Sequence, residues 1–467
     1  MLVKKSRWKS FETILFERPA RTVVFSFLLL LILGTILFML PISHVGTGHL
    51  SFSEALFTAV SAACVTGLSI HETYIFLSDF GKAVLLIMIQ IGALGVVTLA
   101  TSIFSLLGGR MKSRAILMAQ ETADVFSFTK IKSLFRFILL VTFTMEATGA
   151  AIFATQFVPI YGWGEGMFFS VFHSVSSFCN AGFDLSGTLL GAEDMVDSFY
   201  NSNPTVLFTT AALTIAGGLG FTVWEDFYAY RRRRRLSLNT RIILIGSAVL
   251  LLAGTLFYTL TEWNNTAPGA MGSLPTTQRS NAAFFLSVNM RSAGYTSLDL
   301  GQLSGASKLF SIFLMFIGGG PGSVAGGIRV TTMAILIWTI FAEYRGRSGV
   351  VLHRQFIHAR TVRRCITIFF FGIFAVFLQV ILLSVTERTA LRTGDISAID
   401  LLFESTATFS TTGLSTLGTR NLSFAGKALL IPFMFLGRIG PLTLAISMVL
   451  KEKNTVKKVY PEGKIMM

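Results

Sequence analysis

Charged residues are scarce in this 467-residue chain: they make up 13% of it against 52% hydrophobic, with a mean hydropathy of +0.67. Soluble domains run near 25% charged, so a water-soluble globular enzyme is excluded. Cysteine is rarer still. Cys64, Cys179 and Cys365 are odd in number and widely spaced, which gives neither a disulfide framework nor a metal-ligand pattern. Walker and dinucleotide-binding motifs are absent too, because the glycine-rich run at 318–327 lacks the preceding strand and the P-loop lysine. Proline occurs only 10 times, while 44 Phe exclude a disordered chain. These absences leave a polytopic membrane protein.

A membrane helix needs about 20 mostly apolar residues. Eight segments reach that length: 22–41, 80–107, 134–158, 204–229, 241–260, 307–341 (interrupted), 363–385 and 424–450. The first follows Lys4, Lys5, Arg7 and Lys9, as a secretion signal would. It runs too long, lacks a small-residue cleavage site and precedes seven more spans, so it is expected to be retained. With the flanks of the spans included, 29 of the 39 basic residues fall on one side. That side is cytoplasmic by the positive-inside rule, and both termini lie there in a multi-pass protein of the cell membrane. The other side holds 8 basic and 14 acidic residues, a balance that concentrates cations. The run Arg231 to Arg235 directly follows a span and reads as topology, with a cytoplasmic partner or anionic lipid as contacts and no nucleic acid. Trp8, Phe11, Ile14 and Leu15 suit a short interfacial helix.

Each outer connection carries a further apolar piece of 10–14 residues, too short to span, that ends in a small polar stretch with glycine. The four glycines are Gly67, Gly182, Gly294 and Gly413, spaced 115, 112 and 119 residues apart. A fourfold repeat of span, half-helix, irregular strand and span follows. Ordinary outer loops are the alternative, but they would be neither apolar nor evenly spaced. Extended backbone at membrane depth is tolerated only beside a watery pathway. Rings of main-chain carbonyls there can replace a cation's hydration shell. The expected fold class is an all-α polytopic membrane protein, with four non-identical span–pore helix–span repeats around one central pore. Its parts are a cytoplasmic N-terminus (1–21), repeats at 22–107, 134–229, 241–341 and 363–450, and a cytoplasmic tail (451–467).

The motifs Val65-Thr66-Gly67-Leu68, Asn180-Ala181-Gly182-Phe183, Ser292-Ala293-Gly294-Tyr295 and Thr411-Thr412-Gly413-Leu414 resemble those of the potassium transporter superfamily that includes Trk, Ktr and plant HKT proteins. The compact N-terminus and the ending YPEGKIMM are most similar to KtrB, the membrane subunit of the Ktr uptake system. The resemblance implies a potassium-binding selectivity filter of backbone carbonyls at Cys64, Val65, Thr66 and Gly67; Asn180, Ala181 and Gly182; Ser292, Ala293 and Gly294; and Thr411, Thr412 and Gly413. Family members with serine in the first repeat tend to pass sodium, so four glycines imply potassium selectivity. It further implies a homodimer with one pore per subunit and a KtrA-like cytoplasmic ring that binds ATP or ADP. No cofactor is expected on this chain, whose substrate is potassium, with sodium stimulating uptake, in a prokaryotic cell. A TrkH-type subunit with a different partner is the near alternative.

Residues 318–327 read GGGPGSVAGG. Their helix propensities sum to roughly 9 kcal/mol against a continuous helix, so the sixth span breaks near mid-membrane. The resemblance makes this an intramembrane gate comprising Gly318, Gly319, Gly320, Pro321, Gly322, Ser323, Gly326 and Gly327, with Arg438 projecting toward it from the last span. A buried arginine is costly and faces a cavity or a partner. Arg329 could either do the same or snorkel. Glu146, inside span three, could neutralise a charge in the pathway but is expected rather to hydrogen-bond a neighbouring pore helix, and His173, Cys179 and Cys64 to be packing residues. Because only span six is visibly interrupted, an alternating-access carrier with paired discontinuous helices is disfavoured. A membrane-embedded enzyme is disfavoured as well, since no catalytic cluster lies in the spans.

Overall fold

The stretches Ser51-Phe52-Ser53-Glu54 and Ser397-Ala398-Ile399-Asp400 each place a hydroxyl and a carboxylate three residues apart. Both form capping boxes in the computed structural model of the chain, with the hydroxyl accepting from the third N–H and the carboxylate accepting from the first. The residues described are 19–46, 48–106, 128–185, 199–347, 349–352 and 355–439. The interfacial helix expected around Trp8–Leu15, the tail 451–467 and the end of the eighth span lie outside them.

Helices stand at all eight expected span positions. In chain order they are α1 (Pro19–Met39), the short α2 (Phe52–Ala63), α3 (Asp79–Leu106), α4 (Phe128–Phe178), α5 (Pro204–Leu219), α6 (Phe221–Arg233), α7 (Leu238–Glu262) and α8 (Thr276–Asn289). There follow α9 (Gly305–Phe316), α10 (Val330–Tyr344), α11 (Ala359–Thr386), α12 (Ala398–Phe409) and α13 (Phe424–Ile439). By length and composition alone, Phe135–Phe178, Leu238–Glu262 and Ala359–Thr386 could cross a membrane, and α5 with α6 makes a fourth when taken as one bent span. Span six divides into α9 and α10 around an irregular stretch, as its composition requires.

Large apolar side chains point outward, with Leu252 71% and Leu260 74% exposed, whereas Ser170, Ser177, Thr408 and Thr411 are buried. This inversion suits a bilayer, where the exterior is apolar and polar groups face the bundle interior. Three of the four second spans close on a short helix through glycine. A side chain at Gly92 would strike the last carbonyl of α2 at Ala63, one at Gly217 that of α4 at Phe178, and one at Gly437 that of α12 at Phe409. Small residues at such crossings let backbones touch. Gly92→Ala would place a Cβ 2.7 Å from the Ala63 carbonyl carbon. It is expected to destabilise the protein by about 2 kcal/mol, the cost of an overpacked contact, read as a lowered thermal midpoint in detergent.

Two expectations need correction. The chain is not purely α-helical, because β1 (Val350–Leu352) and β2 (Gln355–Ile357) pair antiparallel between α10 and α11, with Val351 opposite Phe356. Nor is span six alone in being broken. Gly95 interrupts α3 with φ 82°, and Gly220 separates α5 from α6 with φ 96° and a bend of 87°. A lone glycine costs a helix only about 1 kcal/mol, so composition does not reveal such breaks. A third non-helical glycine, Gly162 (φ 78°), ends span three within α4, so that residues 163–178 form a separate short helix.

Candidate functional site

The short helices α2, 163–178, α8 and α12 end on the four glycine-marked stretches, and the same backbone follows each. Val65, Asn180, Ser292 and Thr411 take left-handed torsions (φ 55°, 58°, 66° and 49°), and each is followed two residues later by a left-handed glycine, Gly67, Gly182, Gly294 or Gly413. Three of the ends are Schellman turns, in which Thr66 N–H donates to Ser61 O, Ala181 N–H to Ser176 O and Thr412 N–H to Ala407 O, all at 2.8 Å. In the third repeat Arg291 adds one residue, and Ala293 N–H donates to Asn289 O at 3.2 Å instead. Left-handed torsions cost a β-branched residue such as Val65 or Thr411 about 1–2 kcal/mol. Such strain concentrates at functional sites.

The four stretches meet. A Cβ on Gly67 would lie 2.5 Å from Ala181 O and 3.1 Å from Gly182 Cα. One on Gly182 would lie 2.7 Å from Gly294 Cα, and one on Gly294 2.8 Å from Thr412 O. One on Gly413 would strike Thr66 O and lie 3.0 Å from Gly67 Cα, which closes the circle. Every neighbour is main chain, so only glycine fits. The expected residues Val65–Gly67, Asn180–Gly182, Ser292–Gly294 and Thr411–Gly413 are therefore brought together. Cys64 and Cys179 are instead the buried cap residues of their helices, and Cys179 Sγ donates to Glu146 Oε1 at 3.7 Å. Glu146 thus contacts a short helix, as expected. His173 is fully buried among Phe153, Phe157 and Phe172, with Asp184 Oδ1 at 3.4 Å.

The 318–327 loop packs against this ring on one side and against the break in span four on the other. A Cβ on Gly326 would lie 2.6 Å from Ser410 O. Helix α5 ends at Leu219 because Gly220 is left-handed, and its last carbonyls are left without intrahelical donors. The loop supplies them: Gly320 N–H donates to Gly218 O at 2.9 Å and Val324 N–H to Gly217 O at 3.4 Å. In return, Phe221 N–H at the start of α6 donates to Gly322 O at 3.1 Å.

Arginine side chains hold the loop. Arg438 donates to Val324 O, and also to Gly92 O at 2.6 Å and Ala93 O at 3.3 Å just before the break in α3. Arg329 does not snorkel: it donates to Ala325 O and to Ser323 Oγ at 3.3 Å, bracing the loop from its own C-terminal end. Arg291, one of the eight basic residues expected on the outer side, is a third. It is 9% exposed, with Nη2 3.2 Å from Ser247 Oγ and 3.5 Å from Gly318 O. Its place directly before Ser292 was the available signal. Among the described residues no group of three or more His, Cys, Asp or Glu is arranged to hold a metal ion.

The chain is similar to known membrane cation transport proteins. The chain is 35% identical over 447 residues to the Ktr system potassium uptake protein B of Bacillus subtilis (strain 168), covering 96% of each. It is 34% identical over 450 residues to the potassium/sodium uptake protein NtpJ of Enterococcus hirae, covering 96% of this chain and 97% of that one. The crystal structure of the potassium transporter TrkH from Vibrio parahaemolyticus superposes with a TM-score of 0.63 at 19% identity, over 91% of this chain and 84% of that one, a likeness of fold. The family model for TrkH, described as a cation transport protein, matches residues 21–458. A chain matched over that length, with its four short helices ending on a shared ring of glycines, belongs to the TrkH cation transport family.

Proposed function

We propose that this chain is the potassium-translocating subunit of a Ktr-type uptake system, a channel-like transporter and not an enzyme. The observation that carries the reading is the reciprocal close approach of Gly67, Gly182, Gly294 and Gly413, main chain against main chain. In each of the four stretches a left-handed residue is followed two positions later by a left-handed glycine, a backbone that can turn carbonyls toward a shared axis, and such oxygens can replace the water a potassium ion sheds. The four span–short helix–span units then act as four repeats of one pore. Their helix C-termini, the negative dipole ends, favour a cation beyond the strands. The loop Gly318–Gly327, packed against Ser410 through Gly326 and clamped by arginines, is the gate.

The names of the two relatives support potassium as the transported ion, and the NtpJ name admits sodium beside it. In the same reading the protein is a homodimer in the cell membrane with both termini cytoplasmic. A KtrA-like ring carrying ATP or ADP docks on its basic inner loops, and the nucleotide never binds this chain. The break at Gly220 weakens the case against a carrier that was drawn from a single broken span. The closed glycine ring still favours a pore, since a carrier has no need of four converging strands.

The test is rescue of potassium-limited growth in cells stripped of their own uptake systems, with and without a ring-forming partner. Growth at limiting potassium, stronger with the partner, is the expected result. A correctly inserted protein that leaves growth unrescued in both cells overturns the assignment.

A further inference from the structure

Among the four left-handed residues, Ser292 alone hydrogen-bonds the loop through its side chain. Its Oγ accepts from Gly326 N–H at 2.9 Å and donates to the paired acceptors Ser410 O and Thr411 O at 3.0 and 3.1 Å. Its own carbonyl accepts from Asn180 Nδ2 at 2.9 Å. One hydroxyl thus connects the loop with strands three and four, and its carbonyl adds strand two. Asn180, at the equivalent position, bonds strand three but not the loop. Val65 has no polar side chain, and Thr411 Oγ1 is buried with no hydrogen-bond partner.

A carbonyl has two lone pairs, so one that accepts from Ser292 has less to offer a cation. The hydroxyl proton stays on Ser410 O or Thr411 O while Gly326 N–H occupies the serine oxygen and fixes its rotamer. When the loop withdraws, that donor is lost, the hydroxyl can rotate, and both carbonyls become free. We propose that Ser292 is a positioning residue that couples the gate loop to the inner end of the filter, so that the seated loop both blocks the path and weakens the adjoining ion site. This rests on the filter-and-gate reading given above.

The experiment is a double-mutant cycle on the full chain in proteoliposomes, reading rubidium tracer flux and the potassium concentration for half-maximal flux. Its members are the wild type, Ser292→Ala, deletion of 319–326, and the two combined. Ser292→Ala in the intact protein is expected to raise flux about fivefold, the factor carried by one ordinary hydrogen bond, and to lower the half-maximal concentration. In the deletion background the same substitution should leave flux unchanged within about twofold, because the loop partner is already gone. Ser292→Thr keeps the hydroxyl at a torsion that β-branched Val65 and Thr411 already hold, so most of the flux increase seen in Ser292→Ala should be reversed in it. Equal effects of Ser292→Ala in both backgrounds, or none in the intact protein, overturn the coupling while leaving the gate intact. A folded deletion with no gain in flux removes the gate itself, and the coupling falls with it.

Discussion

Gly294→Ser is expected to reduce discrimination of potassium over sodium by at least about tenfold, equivalent to about 1.4 kcal/mol between the two ions. The new Cβ would sit 2.7 Å from Gly182 Cα and 2.8 Å from Thr412 O, distances at which one of two other strands has to move. Neither neighbour is a flexible side chain that could swing aside. The φ of 86° adds strain that an L-residue rarely tolerates. Discrimination depends on how many carbonyls surround the ion and how they are aimed, so a shifted strand degrades it before it abolishes conduction. Gly46→Ser is the control. Gly46 has nearly the same torsion (φ 73°), but its added Cβ would have nothing within 4 Å. The two substitutions carry a similar backbone penalty, and only the one in the ring should alter the ratio of rubidium to sodium uptake. Unchanged selectivity in Gly294→Ser, with protein at normal levels, would mean that the ring is structural.

Deleting residues 319–326 is expected to raise potassium flux about tenfold or more. The geometry makes the deletion a fair test, because its flanks already touch. Gly318 N–H donates to Ile328 O at 2.8 Å, Ile317 pairs with Ile328 as a parallel bridge, and a Cβ on Gly318 would lie 3.5 Å from Gly327 Cα. Joining Gly318 to Gly327 needs a Cα–Cα distance of about 3.8 Å, so α9 and α10 can keep their places. A monodisperse, folded deletion that conducts no faster than wild type would refute the gate. Arg438→Ala should raise flux less, since it removes the anchor at Val324 O but leaves the loop's hydrogen bonds to Gly217 and Gly218. Arg438→Lys separates two roles. Lysine keeps the charge but loses the planar fork that reaches Val324 O and Gly92 O together. If the positive charge is the barrier, the lysine variant should match wild type; if the clamp is, it should match alanine.

The clamp also links parts of the chain that sequence patterns treat separately. Arg438 sits in the eighth span, Val324 in the loop and Gly92 in the second span. On the proposed gating, a loop that moves would have to break the Arg438 contact to span two as well, and Gly95, the break three residues beyond Gly92, lies beside that contact. The break at Gly220 has a related use, because it exposes the carbonyls of Gly217 and Gly218 on which the loop rests.

The sequence by itself determined what local composition can encode: eight apolar segments that form helices, four short helices leading into glycine-marked stretches at nearly even spacing, and a loop where glycine and proline forbid a helix. It also pointed to Arg438, because an arginine within an apolar span is costly enough to be noticed without knowing its partner. The tertiary structure alone decided that Gly220 and Gly95 break their helices, since one glycine in an apolar run is compatible with either outcome until another segment claims the freed carbonyls. It likewise decided the roles of Arg291 and Ser292. These depend on contacts with Gly318, Gly326 and Ser410, residues 27 to 118 positions away, and no periodicity reports an approach that exists only once the chain has folded.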